Sequence, residues 1–118
     1  MKRYRIIHQP SKKELATNAK LATVMIDRMI GLMFRKKMDG FDALIIEDCK
    51  SIHTCFMKYP IDVVFIDRKN KIVKIKNNIK PWRVTPIYFS ASKAIEFTSG
   101  SVSSDFKIGD QLEVICIN

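Results

Sequence analysis

The sequence predicts a β-rich α+β domain: a mostly antiparallel small barrel or sandwich with one main helix. Short runs rich in strand-forming residues recur at intervals of about eight to twelve residues, which is typical of packed antiparallel strands. One early stretch instead repeats its apolar residues at helical spacing. The chain has 118 residues, of which 47% are hydrophobic, so it can bury a core without disulfide or metal support. We therefore predict a single domain over residues 1–118, with an N-terminal strand or arm over residues 1–14.

The first strands are predicted on both sides of an early proline. Residues 2–8 form a strand or ordered arm, which Pro10 and Ser11 end. Residues 15–21 show a period-two pattern that predicts a second strand. Four side chains would then share one face of that strand: Leu15, Thr17, Ala19 and Leu21.

One helix is predicted immediately after the second strand. Thr23 is a suitable N-cap, and Asp27 in the first turns would complement the helix dipole. The helix would run over residues 24–34, where the apolar residues follow helical spacing. These residues are Met25, Ile26, Met29, Ile30, Met33 and Phe34.

The rest of the chain is predicted to alternate between short strands and turns. The strand candidates span residues 41–47, 52–57, 61–67, 72–76, 93–97 and 111–117. In the strand 93–97, Ile95 and Phe97 would face one way and Ala94 and Glu96 the other. In the last strand, Cys116 would be a small core residue.

The charge of the chain favours anionic partners. The net charge is +9, yet fifteen of the twenty-one basic residues are lysines spread along the chain. We therefore favour a solvated surface over nucleic-acid binding, which stays an alternative. Trp82, Tyr88 and Phe89 offer a stacking platform beside Arg83, but we favour their capping an open end of the barrel.

The location that the sequence predicts is the cytoplasm. The first residues, MKRYRIIHQP, lack the apolar core of a secretory signal. No apolar run approaches the roughly 20 residues of a membrane helix. The three cysteines are then expected to be reduced thiols.

The stretch from Cys49 to Asp67 contains several residue types that bind metals or act as nucleophiles. If residues 52–57 form a strand, then His53, Cys55 and Met57 share a face. Those residue types suit soft metal ions, but the spacing lacks the paired ligands of structural zinc sites. We therefore predict no metal and no cofactor. A second hypothesis is a thiol nucleophile that pairs Cys49 or Cys55 with His53.

Charged residues within apolar segments point to a different site. Asp62 interrupts a strongly apolar strand, and an isolated buried carboxylate is costly. Arg28 on the predicted helix and Glu96 on a later strand are likewise charged residues within apolar segments. One hypothesis joins Arg28 to Asp62 or Glu96 in an ionic group lining a pocket. The alternative is a salt bridge that specifies the fold and binds no ligand.

Several segments resemble the uncharacterised family called domain of unknown function 192, over roughly residues 15–117. The resemblance is carried by Arg28-x-x-Gly31-Leu32-Met33, Cys49-x-x-Ile52-His53-Thr54-x-Phe56-Met57, Pro60-Ile61-Asp62-Val63-Val64-Phe65-Ile66-Asp67, Pro81-Trp82-Arg83, Ala94-Ile95-Glu96 and Gly109-Asp110. It implies a family-like core of β-rich structure with one helix, no established enzymatic activity, and an accessory or interaction role. The aromatic residue usual in the family is replaced here by Cys55, so the resemblance leaves Cys49 and His53 as the matching pair.

The preferred prediction is a non-enzymatic binding or accessory module with a small polar pocket. Its ligand would be a small anionic group or a segment of a protein partner. The predicted pocket residues are Arg28, His53, Asp62 and Glu96, with Cys49 nearby. Arg28 would hold the anionic group, and His53 would donate or accept a hydrogen bond. The alternatives are a hydrolase or thiol enzyme that uses Cys49 and His53, and weak nucleic-acid binding through the basic surface and Trp82.

Overall fold

A computed structural model describes residues 2–22, 40–55 and 57–117 of the chain. These residues form seven strands in one sheet and contain no helix. The strands are β1 (Arg3–His8), β2 (Lys13–Ala22), β3 (Ala43–Glu47), β4 (Ile61–Ile66), β5 (Ile72–Ile79), β6 (Lys93–Thr98) and β7 (Leu112–Cys116). The helix predicted over residues 24–34 and its cap at Thr23 lie outside the described residues.

The sheet is mixed and curls into a half-barrel. Its strand order is β5-β4-β6-β3-β2-β1-β7, and every pair is antiparallel except β2 with β3. The two edge strands approach each other where Lys71 bridges Gln111 and the Leu112 N–H donates to the Asn70 carbonyl oxygen at 2.9 Å. The prediction of a β-rich, mostly antiparallel fold is confirmed.

The two faces of the sheet carry separate apolar clusters. The Phe65 cluster contains Ala22, Phe41, Leu44, Ile46, Ile52, Met57, Ile61, Val63, Phe65, Ile79, Ala91 and Ala94. The Phe97 cluster contains Ile6, Ala16, Ala19, Ala43, Ile45, Val64, Ile66, Ile72, Ile95, Phe97, Val102, Phe106 and Leu112. Because β3, β4 and β6 contribute to both clusters, these central strands are apolar on both faces.

The central strands lie close to where the sequence predicts them. All six residues of β4 are buried, which explains why the run reads as continuously apolar except at Asp62. In β6, Ile95 and Phe97 belong to the Phe97 cluster, whereas Ala94 belongs to the Phe65 cluster. The predicted division of that strand between two faces is therefore confirmed.

The strand predicted over residues 52–57 is wrong. Within this segment, whose residue 56 lies outside the described part, the only β interaction is an isolated bridge from His53 to Val84. The backbone instead bonds to the loop before β6: Thr54 N–H donates to Arg83 O at 2.8 Å, and Thr85 N–H to Ile52 O at 3.0 Å. Strand alternation therefore does not govern His53, Cys55 and Met57.

Two predicted side-chain positions are also wrong. In β2, Thr17 is exposed and Ala16 is buried, because β2 advances three residues from Ala19 to Ala16 while β1 advances two. Such bulges shift the alternation of a strand. Cys116 is exposed rather than in the core, since it ends β7, a strand at the edge of the sheet.

Candidate functional site

Asp62 is a structural cross-link between three parts of the chain. Its side chain lies on β4 and is 1% exposed. Its Oδ1 accepts the N–H of Asn78 at 2.8 Å, and its Oδ2 accepts those of Gly100 and Val102, each at 3.0 Å. These hydrogen bonds compensate the cost of burying a carboxylate. Asp62 therefore holds the end of β5 and the 99–102 loop onto the sheet.

Glu96 lies on the opposite face of the sheet from Asp62. Glu96 is fully buried on β6 and stands opposite Val63 and Leu44, both in the Phe65 cluster. Asp62 stands opposite Phe97, which belongs to the other cluster. A sheet separates the two carboxylates, so they do not line one pocket.

Of the other two residues predicted to line the pocket, Arg28 and His53, only His53 lies in the described part of the chain. Arg28 lies in residues 23–39, outside the described part of the chain. His53 is half-buried, and its Nδ1 accepts the backbone N–H of Cys55 at 3.3 Å. That contact leaves Nε2 as the ring nitrogen available to carry a proton in the neutral form.

Cys49 is bound to the backbone of its own turn. Its Sγ donates a hydrogen bond to the carbonyl oxygen of Ser51 at 3.0 Å, and it packs against the Phe65 cluster. This hydrogen bond uses the thiol as a donor, whereas the nucleophilic form of a cysteine is the thiolate. Among residues 2–22, 40–55 and 57–117, no group of three or more His, Cys, Asp or Glu side chains is arranged to hold a metal ion.

Thr54 shapes the chain segment that faces the 52–57 loop. Its buried hydroxyl donates to the Lys80 carbonyl oxygen at 2.6 Å and accepts the Arg83 N–H at 2.9 Å. Its carbonyl oxygen accepts the Trp82 N–H at 3.0 Å. These bonds hold a turn in which Trp82 has a φ of 66°, a conformation that tryptophan rarely adopts.

A basic cleft lies between the end of β5 and this turn. It has a volume of about 320 Å³. Its lining residues are Lys76, Asn77, Asn78, Ile79, Lys80, Arg83, Val84, Thr85 and Pro86. Three of these described residues are cations and none of them is a carboxylate, so this part of the cleft favours an anionic ligand. Thr54 and Asp62 fix its walls, although neither lines it.

Positive charge is concentrated around this cleft. Residues 68–92 contain seven Lys or Arg residues and no Asp or Glu, against a net charge of +9 for the whole chain. A larger cleft, of about 620 Å³, lies at the other end of β5. It is lined by Asp48, Lys50, Asp67, Arg68, Lys69, Lys71, Phe89, Ser90, Ala91 and Ser92. The prediction of lysines spread along the chain missed that residues 68–92 have cations and no carboxylates. Counting acidic as well as basic residues in successive segments of the sequence would have detected it.

The segment between the clefts exposes large apolar side chains. Trp82 is 58% and Phe89 is 80% exposed, and Val84 and Ile87 are also exposed. Tyr88 instead packs against Phe65, with ring centroids 4.8 Å apart. The prediction that the aromatic residues cap the barrel is therefore wrong for Trp82 and Phe89, and it fits only Tyr88.

The structure also brings together a polar cluster that sequence reasoning missed. His8 is 2% exposed; its Nδ1 lies 2.6 Å from Ser11 Oγ and its Nε2 lies 2.7 Å from Asp110 Oδ2. The hydrogen bond with His8, followed by that from the Lys107 N–H, lowers the pKa of Asp110. The backbone N–H of Lys13 donates to Ser11 Oγ at 3.2 Å. We interpret the cluster as a cross-link between the β1–β2 turn and the start of β7, because these residues bond to one another and to backbone.

The sequence comparisons agree on one family. Residues 6–114 match the DUF192 family, described as "Uncharacterized ACR, COG1430". A UPF0127 protein of Pyrococcus furiosus is 30% identical over 105 residues, covering 86% of this chain and 90% of its own. A UPF0127 protein of Pyrococcus horikoshii is 29% identical over 82 residues, covering 67% and 70% respectively.

Two crystal structures have the same fold. A "putative transcription regulator" of Sinorhizobium meliloti has a TM-score of 0.78 at 22% identity, covering 96% of this chain and 92% of its own. A protein of unknown function from Novosphingobium aromaticivorans has a TM-score of 0.75 at 19% identity, covering 94% and 83%. At such identities the likeness concerns the fold alone.

Proposed function

Because this chain belongs to the uncharacterised DUF192 family, which supplies no activity, we propose from its geometry that the protein is a non-enzymatic module binding an anionic ligand. The ligand occupies the basic cleft between the end of β5 and the 80–86 segment. The single observation that carries the proposal is the charge of that cleft: among residues 2–22, 40–55 and 57–117, its lining includes Lys76, Lys80 and Arg83 and no carboxylate.

The electrostatics of the cleft support binding rather than a merely solvated surface. Three cations converge on a concave surface of about 320 Å³, and like charges placed together raise the electrostatic energy of the unliganded protein. An anion relieves that repulsion and accepts hydrogen bonds from the cations. Asn77 and Asn78 add polar groups to the same wall.

The construction of the cleft also supports this function. The Thr54 hydroxyl bonds to the backbone of Lys80 and Arg83, and Asp62 bonds to the backbone of Asn78. Three cleft residues are therefore held by buried side chains on other segments. A cleft organised before binding loses less entropy when its ligand arrives.

Arg28 and its helix remain part of the proposal. The helix over residues 24–34 would complete the α+β domain and carry Arg28, which would add a fourth cation if it faces the same ligand. Asp62 would then contribute by positioning, and His53 through its backbone bridge to Val84, which lines the cleft.

The proposal is tested with inorganic pyrophosphate as the probe. In a ¹H–¹⁵N NMR titration we expect shifts confined to the amides around Asn78 and Lys80–Thr85. The double variant Lys80→Gln/Arg83→Gln should bind about tenfold more weakly or worse, because each charge-assisted contact is worth on the order of 1 kcal/mol. The variant Arg28→Gln measures the additional contribution of Arg28.

A matched control separates the cleft from net charge. Lys2 and Lys12 are exposed and do not line the cleft, and Lys2→Gln/Lys12→Gln removes the same two charges. This control should bind pyrophosphate as the wild type does. Equal weakening in both double variants, or shifts spread over the whole surface, would refute a specific site.

A further inference from the structure

We infer that the natural ligand is single-stranded nucleic acid, which lies along β5 with its phosphates on the basic track and its bases against Trp82 and Phe89. The basic track is Arg68, Lys69, Lys71, Lys74, Lys76, Lys80 and Arg83. This inference rests on the proposed function, because the basic cleft is one end of the track. It adds the class of ligand and extends the site to the larger cleft.

The track runs between the two clefts at the ends of β5. The larger cleft includes Arg68, Lys69 and Lys71 at the start of β5, together with the carboxylates of Asp48 and Asp67, and the basic cleft includes Lys76, Lys80 and Arg83 at its end. Strand β5 has eight residues, so the two ends lie about 23 Å apart at about 3.3 Å per residue. A ligand that reaches both ends is a polymer rather than a small anion.

Lys74 fills the gap between the two clefts. It stands opposite Phe65, and Lys76 stands opposite Val63, so both lysines are on the face of the Phe65 cluster. Strand β5 is at the edge of the sheet, which leaves that row of cations beside solvent. Lysines along an edge strand also discourage the addition of another strand, which argues against an extended peptide pairing with β5.

The exposed aromatic rings offer stacking surfaces, which a simple anion would not use. Trp82 and Phe89 are 58% and 80% exposed, in the segment that connects the two clefts. Every base has a flat face that stacks on such rings, whereas the bases of a duplex are already stacked. A row of cations beside exposed rings therefore fits a single strand better than a duplex.

The unique tryptophan makes the inference directly testable. Trp82 is the only tryptophan in the chain, so its fluorescence reports on the proposed stacking surface. We expect an oligodeoxythymidylate of about eight nucleotides, within the usual range of site sizes, to quench this fluorescence. Inorganic polyphosphate should displace the oligonucleotide without quenching, because it has charge but no bases.

Variants separate the contribution of base stacking from that of phosphate contacts. Affinity is measured by the fluorescence anisotropy of a fluorescein-labelled oligonucleotide. Phe89→Ala should weaken binding about tenfold, whereas Ile108→Ala, which shortens an apolar side chain that is 66% exposed and lies outside the track, should not. Lys74→Gln/Lys76→Gln should make the slope of log K against log salt shallower by about 1.4, since each single-strand phosphate contact contributes about 0.7. Lys2→Gln/Lys12→Gln should leave the slope unchanged.

The outcomes distinguish this inference from the function on which it rests. If polyphosphate binds as tightly as the oligonucleotide and Phe89→Ala has no effect, the nucleic-acid inference is overturned while anion binding stands. Tighter binding and stronger quenching by polyglutamate would overturn it in favour of an acidic protein segment. If neither pyrophosphate nor any of the polyanions binds, both proposals fail.

Discussion

Replacing Asp62 by asparagine tests whether this buried carboxylate organises the loops around the sheet. The substitution keeps the size of the side chain and one acceptor oxygen, which can receive either the N–H of Asn78 or those of Gly100 and Val102. The new amide nitrogen takes the place of the other oxygen and faces the N–H groups that donate there. At least two donors, one of them the new amide, would then meet with no acceptor between them.

The expected loss of stability follows from these contacts. A buried donor left without an acceptor costs about 1–3 kcal/mol, and the substitution creates two such donors at one of the best-buried positions of the sheet. We expect the free energy of unfolding to fall by about 3 kcal/mol, out of about 5–15 kcal/mol for a domain of ordinary stability. Urea denaturation followed by circular dichroism measures this change, with an unchanged slope against urea concentration.

A control and a local measurement make the test specific. Asp105 is exposed on the neighbouring loop, so Asp105→Asn should change the free energy of unfolding by less than about 0.5 kcal/mol. Hydrogen exchange at Asn78, or at Gly100 and Val102, should accelerate more than exchange in the central strands. A loss below about 1 kcal/mol for Asp62→Asn, or unaltered exchange at all three amides, would refute the role assigned to Asp62.

Two further predictions concern the polar cluster and the thiols. The hydrogen bond with His8 lowers the pKa of Asp110 in the folded state, so the stabilisation by this carboxylate is complete above its unfolded pKa, near 4, and is lost as the pH falls through the folded pKa. Urea midpoints measured across the acid range should therefore fall less steeply with pH in Asp110→Asn than in the wild type, and parallel curves would contradict the linkage. Iodoacetamide labelling followed by mass spectrometry should modify exposed Cys116 before Cys49, whose Sγ donates to the Ser51 carbonyl. Faster reaction at Cys49 than at free cysteine would favour the thiol-enzyme alternative.

The central strands are predictable from the sequence because their signal is local. Five of the six residues of β4 are apolar and β-branched or aromatic, and β6 carries Ala94, Ile95 and Phe97, because burial on both faces favours apolar side chains. The strand β5 is predicted three residues too short, since Asn77 and Asn78 lower its local β propensity. The bonds from Asp62 to Asn78 and from Asn77 Nδ2 to the Val102 carbonyl oxygen accompany its extension.

The candidate site is less predictable because its parts are distant in sequence. His53 and Cys49 attract attention by residue type, yet the bonds that tie the 52–57 loop to the rest of the chain include those of Ile52 and Thr54 to residues 80–85. Asp62 and Glu96 both interrupt apolar strands, but the pairing of β4 with β6 puts them on opposite faces. The cluster of His8, Ser11 and Asp110 joins residues about a hundred positions apart, which no local pattern contains.

The family, the approximate places of most strands and the charge of the 68–92 segment can be read from the sequence alone. These properties depend on residue composition and on spacing within a few residues, so they are readable without knowing which segments meet. Only the tertiary structure decided the order of strands, the face on which each carboxylate lies, and the exposure of Trp82 and Phe89. These depend on pairing between distant segments, where one residue of register reverses the face of a side chain.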